Sequence, residues 1–348
     1  MNTIGHIFRL TTFGESHGAA IGGVIDGCPS QLKLDFGCIE SELQRRKTAQ
    51  SPTASQRKEA DKLEWLSGLL DGVTLGTPIA FMVRNEDCKP EDYEALKDIY
   101  RPSHADFTYE QRYGLRDWRG GGRASARTTL PIVVAGAIAK QVLKEKDIQV
   151  FAEVTQMGDA EQARKEGDTV GGVVECRITG VSAGWGEPMF DKFSAALAHA
   201  MFSLPAVKGF EMGDGFALAK MKGSEANDTF INKMDAGLRD ARRETSPESR
   251  SLESRVNITT LTNHSGGIQG GISNGNDIVF RVAFKPIPSI AKPQPTVNRA
   301  GEACEIAIEG RHDVSALPRA VVLVEALAAM VTLDFGLQFA ASRNFFDI

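Results

Sequence analysis

No Cys-x-x-Cys pair occurs in this chain, and its five cysteines (Cys28, Cys38, Cys88, Cys176, Cys304) are scattered and odd in number. That pattern argues for free thiols in a reducing cytoplasm, and no metal site is expected. An excess of basic charge is also missing. Lys and Arg number 40 against 45 Asp and Glu, a net charge of -5, which argues against general nucleic-acid or membrane binding. Met1 to His6 has no apolar signal core, which again points to the cytoplasm. The most apolar late stretch, Ala320 to Leu333, is short and carries Glu325, so it reads as a buried helix and not a membrane span. No Gly-x4-Gly-Lys-Ser/Thr phosphate loop is present. The dinucleotide fingerprint fails as well, because Ser125 stands where its third glycine belongs. With 42% hydrophobic and 24% charged residues over 348 positions, the chain is globular and long enough for one large domain or two ordinary ones.

What is present centres on Gly114 to Arg127. Arg116, Arg119, Arg123 and Arg127 fall in this stretch around the run Gly120-Gly121-Gly122, just before an apolar helix predicted from Thr129 to Lys146. Glycine lets backbone approach a ligand closely. A helix N-terminus offers unpaired N–H groups, and arginine offers planar charged forks for phosphate and carboxylate. Together they predict a site for a multiply anionic small molecule. The competing reading is a solvated arginine-rich loop on a glycine turn. An RNA-binding module is a further reading, but aromatic residues other than Tyr113 and Trp118 are missing from the cluster.

Along the chain, Ile4–Thr12 reads as a strand, Phe13–Gly18 as a polar turn and Ala19–Gly27 as a glycine-rich strand. His17 is flanked by Glu15 and Ser16 in a glycine-bounded turn, the setting in which loops held by rigid elements carry chemistry. Cys38–Lys47 is helical in pattern, Thr48–Arg57 is a polar loop, and Lys62–Leu70 with Pro78–Val83 reads as a hairpin turning at Asp71-Gly72. Tyr100–Asp106 is a second polar turn, with His104 near Arg101. Strands are expected at Gly171–Thr179 and Ile278–Phe284. A helix N-capped by Asp191 should run to Leu204 with Phe193, Leu197 and Met201 on one face. Glu225–Arg255 is charge-dense and reads as an extended or mobile excursion. A last helix is expected over Pro318–Leu333.

Ser16–Gly27 and His264–Gly275 share four glycines at identical offsets: Gly18, Gly22, Gly23 and Gly27 against Gly266, Gly270, Gly271 and Gly275. Gly122-Arg123 and Gly310-Arg311 then precede apolar helices at matching distances from Val133-Val134 and Val321-Val322. The match predicts an internal duplication within a single domain over 1–348. Two α/β halves, about 1–150 and 170–348, would be related by a pseudo-two-fold with the site between them. Chance is the competing explanation, since the chain holds 35 glycines.

Several of these stretches resemble one family. Gly14-Glu15-Ser16-His17-Gly18 through Pro29, Arg123 to Thr128, and Arg311-His312-Asp313 through Glu325 are similar to the three signatures of chorismate synthase. Arg101–Asp106, Tyr113–Asp117 and Pro205–Gly209 agree as well, and the resemblance spans nearly the whole chain apart from 225–255. It implies an α/β (α+β) sandwich with sheets packed around helices, a homotetramer, and conversion of 5-enolpyruvylshikimate 3-phosphate to chorismate and phosphate. It also implies reduced FMN, used without net redox change. By motif, His17 would meet the departing phosphate as an acid, with an unperturbed pKa of ~6.5 suited to proton donation near neutrality. His104 would partner the reduced flavin ring, and Asp313 would help the flavin collect the ring proton. Ser16 and Ser125 would assist. FMN would be held by Arg123, Ala124, Ser125, Pro205, Ala206, Gly270, Lys285, Pro286, Ile287, Pro288, Ser289 and Arg311. Arg46 and Arg127 would meet a phosphate of the substrate or of NADPH. The lack of a dinucleotide fingerprint favours an external flavin reductant over NADPH. His264 receives no role, and His6, His199 and His312 read as structural. A non-catalytic flavin- or anion-binding protein on the same scaffold is the main alternative. One departure stands out: Pro52 occupies the place of a usual phosphate-binding arginine, so that Lys47 or Arg57 must substitute or the loop binds more weakly.

Overall fold

The computed structural model describes residues 2–47, 61–86, 90–232, 258–308 and 313–343. The amino-terminal part runs β1 (Thr3–Ile4), β2 (Arg9–Phe13), β3 (Ala20–Asp26), α1 (Phe36–Lys47), β4 (Leu63–Trp65), β5 (Leu69–Leu70), β6 (Val73–Thr74), β7 (Ile79–Arg84), α2 (Asp106–Tyr113) and α3 (Leu130–Lys144). The rest runs β8 (Gln149–Met157), α4 (Ala160–Lys165), β9 (Gly172–Thr179), α5 (Phe193–Phe202), β10 (Val207–Met212), α6 (Gly223–Ala226), β11 (Phe230–Asn232), β12 (Ile258–Thr260), β13 (Ile268–Gln269), β14 (Ile272–Ser273), β15 (Ile278–Phe284), β16 (Gln294–Val297), β17 (Ala303–Ile306) and α7 (Leu317–Arg343).

Two antiparallel sheets flank a layer of helices. One has the order β1-β2-β3-β7-β4, the other β10-β15-β9-β8. β15 alternates: Ile278, Phe280, Val282 and Phe284 are buried, while the residues between them are less so, as a half-covered strand requires. α3 packs beneath the first sheet, α5 and α7 beneath the second, α3 lies on α7, and α1 packs against both α3 and α7. The contact of α3 with α7 is close because Gly136 has no side chain. A Cβ there would lie 2.3 Å from the Cβ of Ala326. α7 is long and apolar enough to cross a membrane by length and composition, yet 83% of its apolar window is buried between the layers, as for a core helix.

The two parts share an order of elements. β2-β3-α1-β4-β7-α3 and β8-β9-α5-β10-β15-α7 both read strand-strand-helix-strand-strand-helix, and both sheets place these strands in the order first, second, fourth, third. In this correspondence β3 answers to β9. The glycine match of the sequence therefore fails: Gly22 and Gly23 lie inside β3, whereas Gly270 and Gly271 form the tight turn of the β13–β14 hairpin with φ of 62° and 92°. A Cβ at Gly22 would lie 2.4 Å from the Phe13 ring, so this glycine answers to packing and Gly270 to a turn.

Other expectations need correction. The single strand expected over 4–12 is two strands, β1 and β2, paired antiparallel. The 62–83 hairpin is resolved into β4 pairing directly with β7, with the short β5–β6 hairpin between them turning at Asp71-Gly72. α5 begins at Phe193 after Lys192, with no side-chain cap, so Asp191 is not its cap; Phe193, Leu197 and Met201 are buried as expected. α7 continues ten residues past Leu333, to Arg343. In the 225–255 excursion, α6 ends at Ala226 and β11 pairs with β12; residues 233–255 lie outside the described residues.

Candidate active site

The run Gly120-Gly121-Gly122 has positive φ at all three residues (57°, 79° and 52°), a backbone that residues with a Cβ rarely adopt. The same glycines have no side chain where neighbours come close. A Cβ on Gly120 would fall 2.1 Å from Nδ1 and Cε1 of His17 and 3.1 Å from Oγ of Ser16. A Cβ on Gly121 would fall 3.5 Å from Cε1 and 3.7 Å from Nε2 of His104. The carbonyl of Gly122 accepts the N–H of buried Ser16 at 3.3 Å. Consecutive glycines thus seat two histidines that lie 87 positions apart in the chain, at 17 and 104. Tyr93 packs edge-on against the His17 ring with centroids 5.2 Å apart.

His104 belongs to a buried charge cluster. Asp106, at the first turn of α2, receives Arg101 Nε at 2.7 Å, Arg101 Nη2 at 2.8 Å and Arg116 Nη1 at 3.1 Å. Its Oδ1 lies 3.0 Å from His104 Nδ1. Burial alone would raise the Asp106 pKa, but hydrogen bonds from Arg101 and His104 hold it far below the usual carboxylate range. His104 is itself pushed below its ordinary value, by burial first; Asp106 opposes that shift and Arg101 adds to it. Burial and Arg101 thus both favour the neutral imidazole.

A second cluster lies on the His17 side. Asp61 accepts Arg127 Nη1 at 2.9 Å and Arg46 Nη2 at 3.2 Å, with Lys47 Nζ at 3.6 Å. Arg127 Nε donates to Asn85 Oδ1 at 2.7 Å, and Asn85 Nδ2 donates to the carbonyls of Glu15 and Gly18 at 3.1 and 2.7 Å, clasping the turn that carries Ser16 and His17. Burial presses the Arg46 pKa down, Asp61 opposes that, and Arg319 repels Arg46. Arg319 Nη2 in turn pairs with Asp313 at 3.0 Å. Asp313 is thereby drawn to the same cluster as Arg46 and Arg127. Among the described residues the cluster brings Arg46, Lys47, Arg127 and Arg319 to Asp61 and Asp313, and the buried Nε of Arg46 has no acceptor there. Such a buried donor suits an anionic ligand.

The second sheet contributes Lys285, whose Nζ donates to the carbonyl and Oγ of Ser103 at 2.7 and 2.6 Å, beside His104. Burial and the nearby Lys208 lower its pKa. Its N–H donates to the carbonyl of Ala206, which sits at φ 70° after the exposed Pro205. Beyond it Pro286 is exposed, Ile287 accepts Thr169 Oγ1 at 2.7 Å, and Pro288 and Ser289 are half-buried. Arg123 donates to the Gly14 carbonyl at 3.0 Å and to Thr12 Oγ1 at 2.7 Å, bracing β2 and the His17 turn; Ala124 follows it, half-buried. Ser125 accepts the N–H of Arg127 at 3.4 Å, capping a short turn before α3.

The expected residues are not all gathered. Gly271, which follows Gly270 in the β13–β14 hairpin, lies against Glu187 and Lys192, just before α5, while a Cβ on Gly270 would meet nothing within 4 Å. Arg311 and His312, with the loop bearing Pro52 and Arg57, lie outside the described residues. Sequence reading missed Asp61, Asn85, Asp106, Tyr93 and Arg319. Asp106 had a signal, since it stands two residues after His104 and five after Arg101. Asp61 and Asn85 are isolated polar residues whose partners are distant in the chain.

Comparison with known proteins follows the same lines. The chorismate synthase family model matches residues 8–162 and 157–337. A protein of Porphyromonas gingivalis named chorismate synthase is 48% identical, over 99% of this chain and 97% of its own length. One of Opitutus terrae with the same name is 46% identical over 99% of both. A crystal structure titled as chorismate synthase superimposes with a TM-score of 0.71 at 26% identity, covering 97% of this chain and 93% of the other. The motifs that seat the two histidines and the likeness of the chain from end to end lead to one conclusion: this chain belongs to the chorismate synthase family.

Proposed function

We propose that this chain eliminates phosphate from 5-enolpyruvylshikimate 3-phosphate to give chorismate, the last common step of aromatic amino acid biosynthesis, with reduced FMN as cofactor. The observation that carries this reading is the pair of histidines set against Gly120 and Gly121. The substrate bears a phosphate and two carboxylates, and FMN adds its own phosphate. Like charges at close range in a poorly hydrated site need fixed cations. The buried guanidinium groups of Arg46 and Arg127, with the Nε of Arg46 unsatisfied among the described residues, fit such a load.

Reduced FMN, when bound, supplies the electron density that aids rupture of the allylic C–O bond. Arg123, Ala124, Ser125, Pro205, Ala206, Lys285 and the segment 286–289 would hold it, with Gly270 and Arg311 as further contacts. Arg46 and Arg127 bind the anionic groups of the substrate. His17, fixed between Gly120 and Tyr93, gives a proton to the departing phosphate oxygen. His104, with Nδ1 against Arg101 Nη2 and its Cε1–Nε2 edge toward Gly121, would partner the reduced flavin ring. Asp313, paired with Arg319 at 3.0 Å, would help the flavin collect the ring proton. Ser16 and Ser125 keep the two turns in register with the glycine run.

Electrons for the flavin come from an external reductant in this reading, and turnover with NADPH and oxidised FMN alone would contradict that. A cytoplasmic homotetramer accords with the family and with large apolar side chains left exposed on one protomer, such as Phe190 and Phe216. The shared order of elements in the two parts supports an internal duplication whose second copy starts at β8. The decisive experiment is chorismate formation by the purified chain, assayed anaerobically with reduced FMN. His17→Ala should lower turnover by about 10²-fold or more while leaving FMN affinity nearly unchanged. A variant that loses flavin binding instead would remove His17 from the role assigned.

A further inference from the structure

We infer that Asn85 is a positioning residue that sets the turn of His17 against Gly120 and holds it at a fixed spacing from the guanidinium of Arg127. The inference rests on the roles given to His17 and Arg127 above and deepens them: the acid and an anion-binding arginine answer to one side-chain amide.

The sheet fixes where Asn85 starts. It follows β7 directly, and its N–H donates to the Ala19 carbonyl at 3.1 Å, one step past the Ala20–Arg84 pair of β3 and β7. The side chain reaches the turn that precedes β3. The Gly18 N–H closes that turn on the Glu15 carbonyl at 3.1 Å, with Ser16 and His17 as its two central residues. Asn85 Nδ2 donates to the same Glu15 carbonyl at 3.1 Å and to the Gly18 carbonyl at 2.7 Å, so both ends of the turn depend on one nitrogen. Asn85 Oδ1 accepts Arg127 Nε at 2.7 Å. The chemistry of these partners leaves one orientation of the amide. A carbonyl only accepts and a guanidinium only donates, so Nδ2 must face the turn and Oδ1 the arginine.

The neighbours of the amide are held from elsewhere as well. Arg127 Nη1 donates to buried Asp61 at 2.9 Å. The Ser16 N–H donates to the Gly122 carbonyl at 3.3 Å, and the bare Gly120 leaves room for the His17 ring. The glycine run and Arg127 belong to one segment, 120–127. His17 is therefore joined to that segment twice, by contact at Gly120 and through Asn85 at Arg127. Contact at Gly120 sets only how closely the ring approaches. The two bonds from Nδ2 stop the turn from drawing back. An aspartate at 85 has the same shape but no donor, so it would keep Arg127 and repel both carbonyls. An alanine there would release all three partners.

The first test is ring NMR of the flavin-free full chain carrying isotope-labelled histidine, with His17 and His104 assigned from His17→Gln and His104→Gln. Asn85→Asp should move the His17 signals and leave those of His104 in place. Unmoved His17 signals would overturn the inference. So would an equal displacement of both, since a merely structural role disturbs the whole core. The second test is turnover with reduced FMN. Asn85→Ala should lower kcat on the order of 10²-fold, the cost of a misplaced catalytic group, with FMN affinity unchanged. Asn85→Asp should lower kcat as far and also raise KM, because its carboxylate competes with the anionic substrate for Arg127. Full kcat in both variants would overturn the inference. In a His17→Ala background, Asn85→Ala should add little further loss of kcat, and its full cost there would overturn the inference too. Should Asn85→Ala fail to fold, the isosteric Asn85→Asp carries the same cycle. If the unsubstituted chain forms no chorismate, the functional reading fails while the His17 signals still decide the role of Asn85.

Discussion

Gly120→Ala tests the seat of His17 with a single methyl group. The added Cβ would lie 2.1 Å from Nδ1 and Cε1 of the ring, whereas ordinary contact begins near 3.4 Å. The ring must therefore retreat by more than about 1 Å, a misplacement that costs a catalytic group on the order of 10²-fold. Its retreat is limited by Tyr93, packed edge-on at 5.2 Å. The backbone adds a separate cost: φ at Gly120 is 57°, and an L-residue there loses roughly 1–2 kcal/mol. Gly114→Ala separates the two effects. Gly114 has φ 73° as the C-cap of α2, yet a Cβ there meets nothing within 4 Å. Both variants should lose similar stability in thermal melts. Only Gly120→Ala should lose about 10²-fold in kcat for chorismate formation with reduced FMN. Equal kcat in the two variants would refute the placement of His17 against the glycine run.

Asp61→Ala should destabilise the fold by about 3–5 kcal/mol, because Arg46 and Arg127 would be left buried without their carboxylate. Inorganic phosphate should restore part of the melting temperature, and an unaltered melt would count against the cluster. Glu325 accepts Arg45 at 2.7 and 3.0 Å and Lys140 at 2.5 Å; burial would raise its pKa, but these partners bring it below the usual carboxylate value. A depressed folded-state pKa gives stability that is present above the unfolded value and lost as pH falls through the folded one. Melting temperature should thus decline below about pH 4.5, and Glu325→Gln should flatten that acid limb while lowering stability near neutrality. Lys285→Met should weaken FMN binding by about tenfold, some 1.4 kcal/mol, read by flavin fluorescence. Undiminished affinity would detach Lys285 from the cofactor.

The sequence disclosed most where burial is periodic. β15 was legible to the residue because apolar positions alternate from Ile278 to Phe284, and the buried face of α5 followed from Phe193, Leu197 and Met201. It disclosed least where a residue answers to a partner far along the chain. Asp61 meets Arg127 across 66 positions and Asn85 reaches the turn at Glu15 across 70, and neither residue leaves a local mark. Asp191 looked like a helix cap, but Lys192 takes that place with an extended ψ of 140° and no side-chain bond. The glycine alignment misled for a related reason. Identical residues served opposite needs, packing within β3 and a left-handed turn at Gly270, which spacing alone cannot distinguish. The histidines stood out through their motifs, whereas Asp61 and Asn85, which tie Arg127 to the His17 turn, were seen only once their distances were known.

α7 works as a common ruler for the molecule. Near its start Arg319 holds Asp313 and presses on Arg46; midway Glu325 gathers Arg45 and Lys140; further on Asp334 accepts the N–H groups of His6, Ile7 and Phe8 at 2.9, 2.7 and 2.9 Å. Arg319 to Asp334 spans about 22 Å of one continuous rod. The amino-terminal hairpin, which leads directly into the His17 turn, is pegged to the same rod as the acid on the far side of the cluster. A slip of the rod by one turn would move both walls of the active centre together and release all three pegs at once. The spacing of these clusters is therefore inherited from one continuous helix.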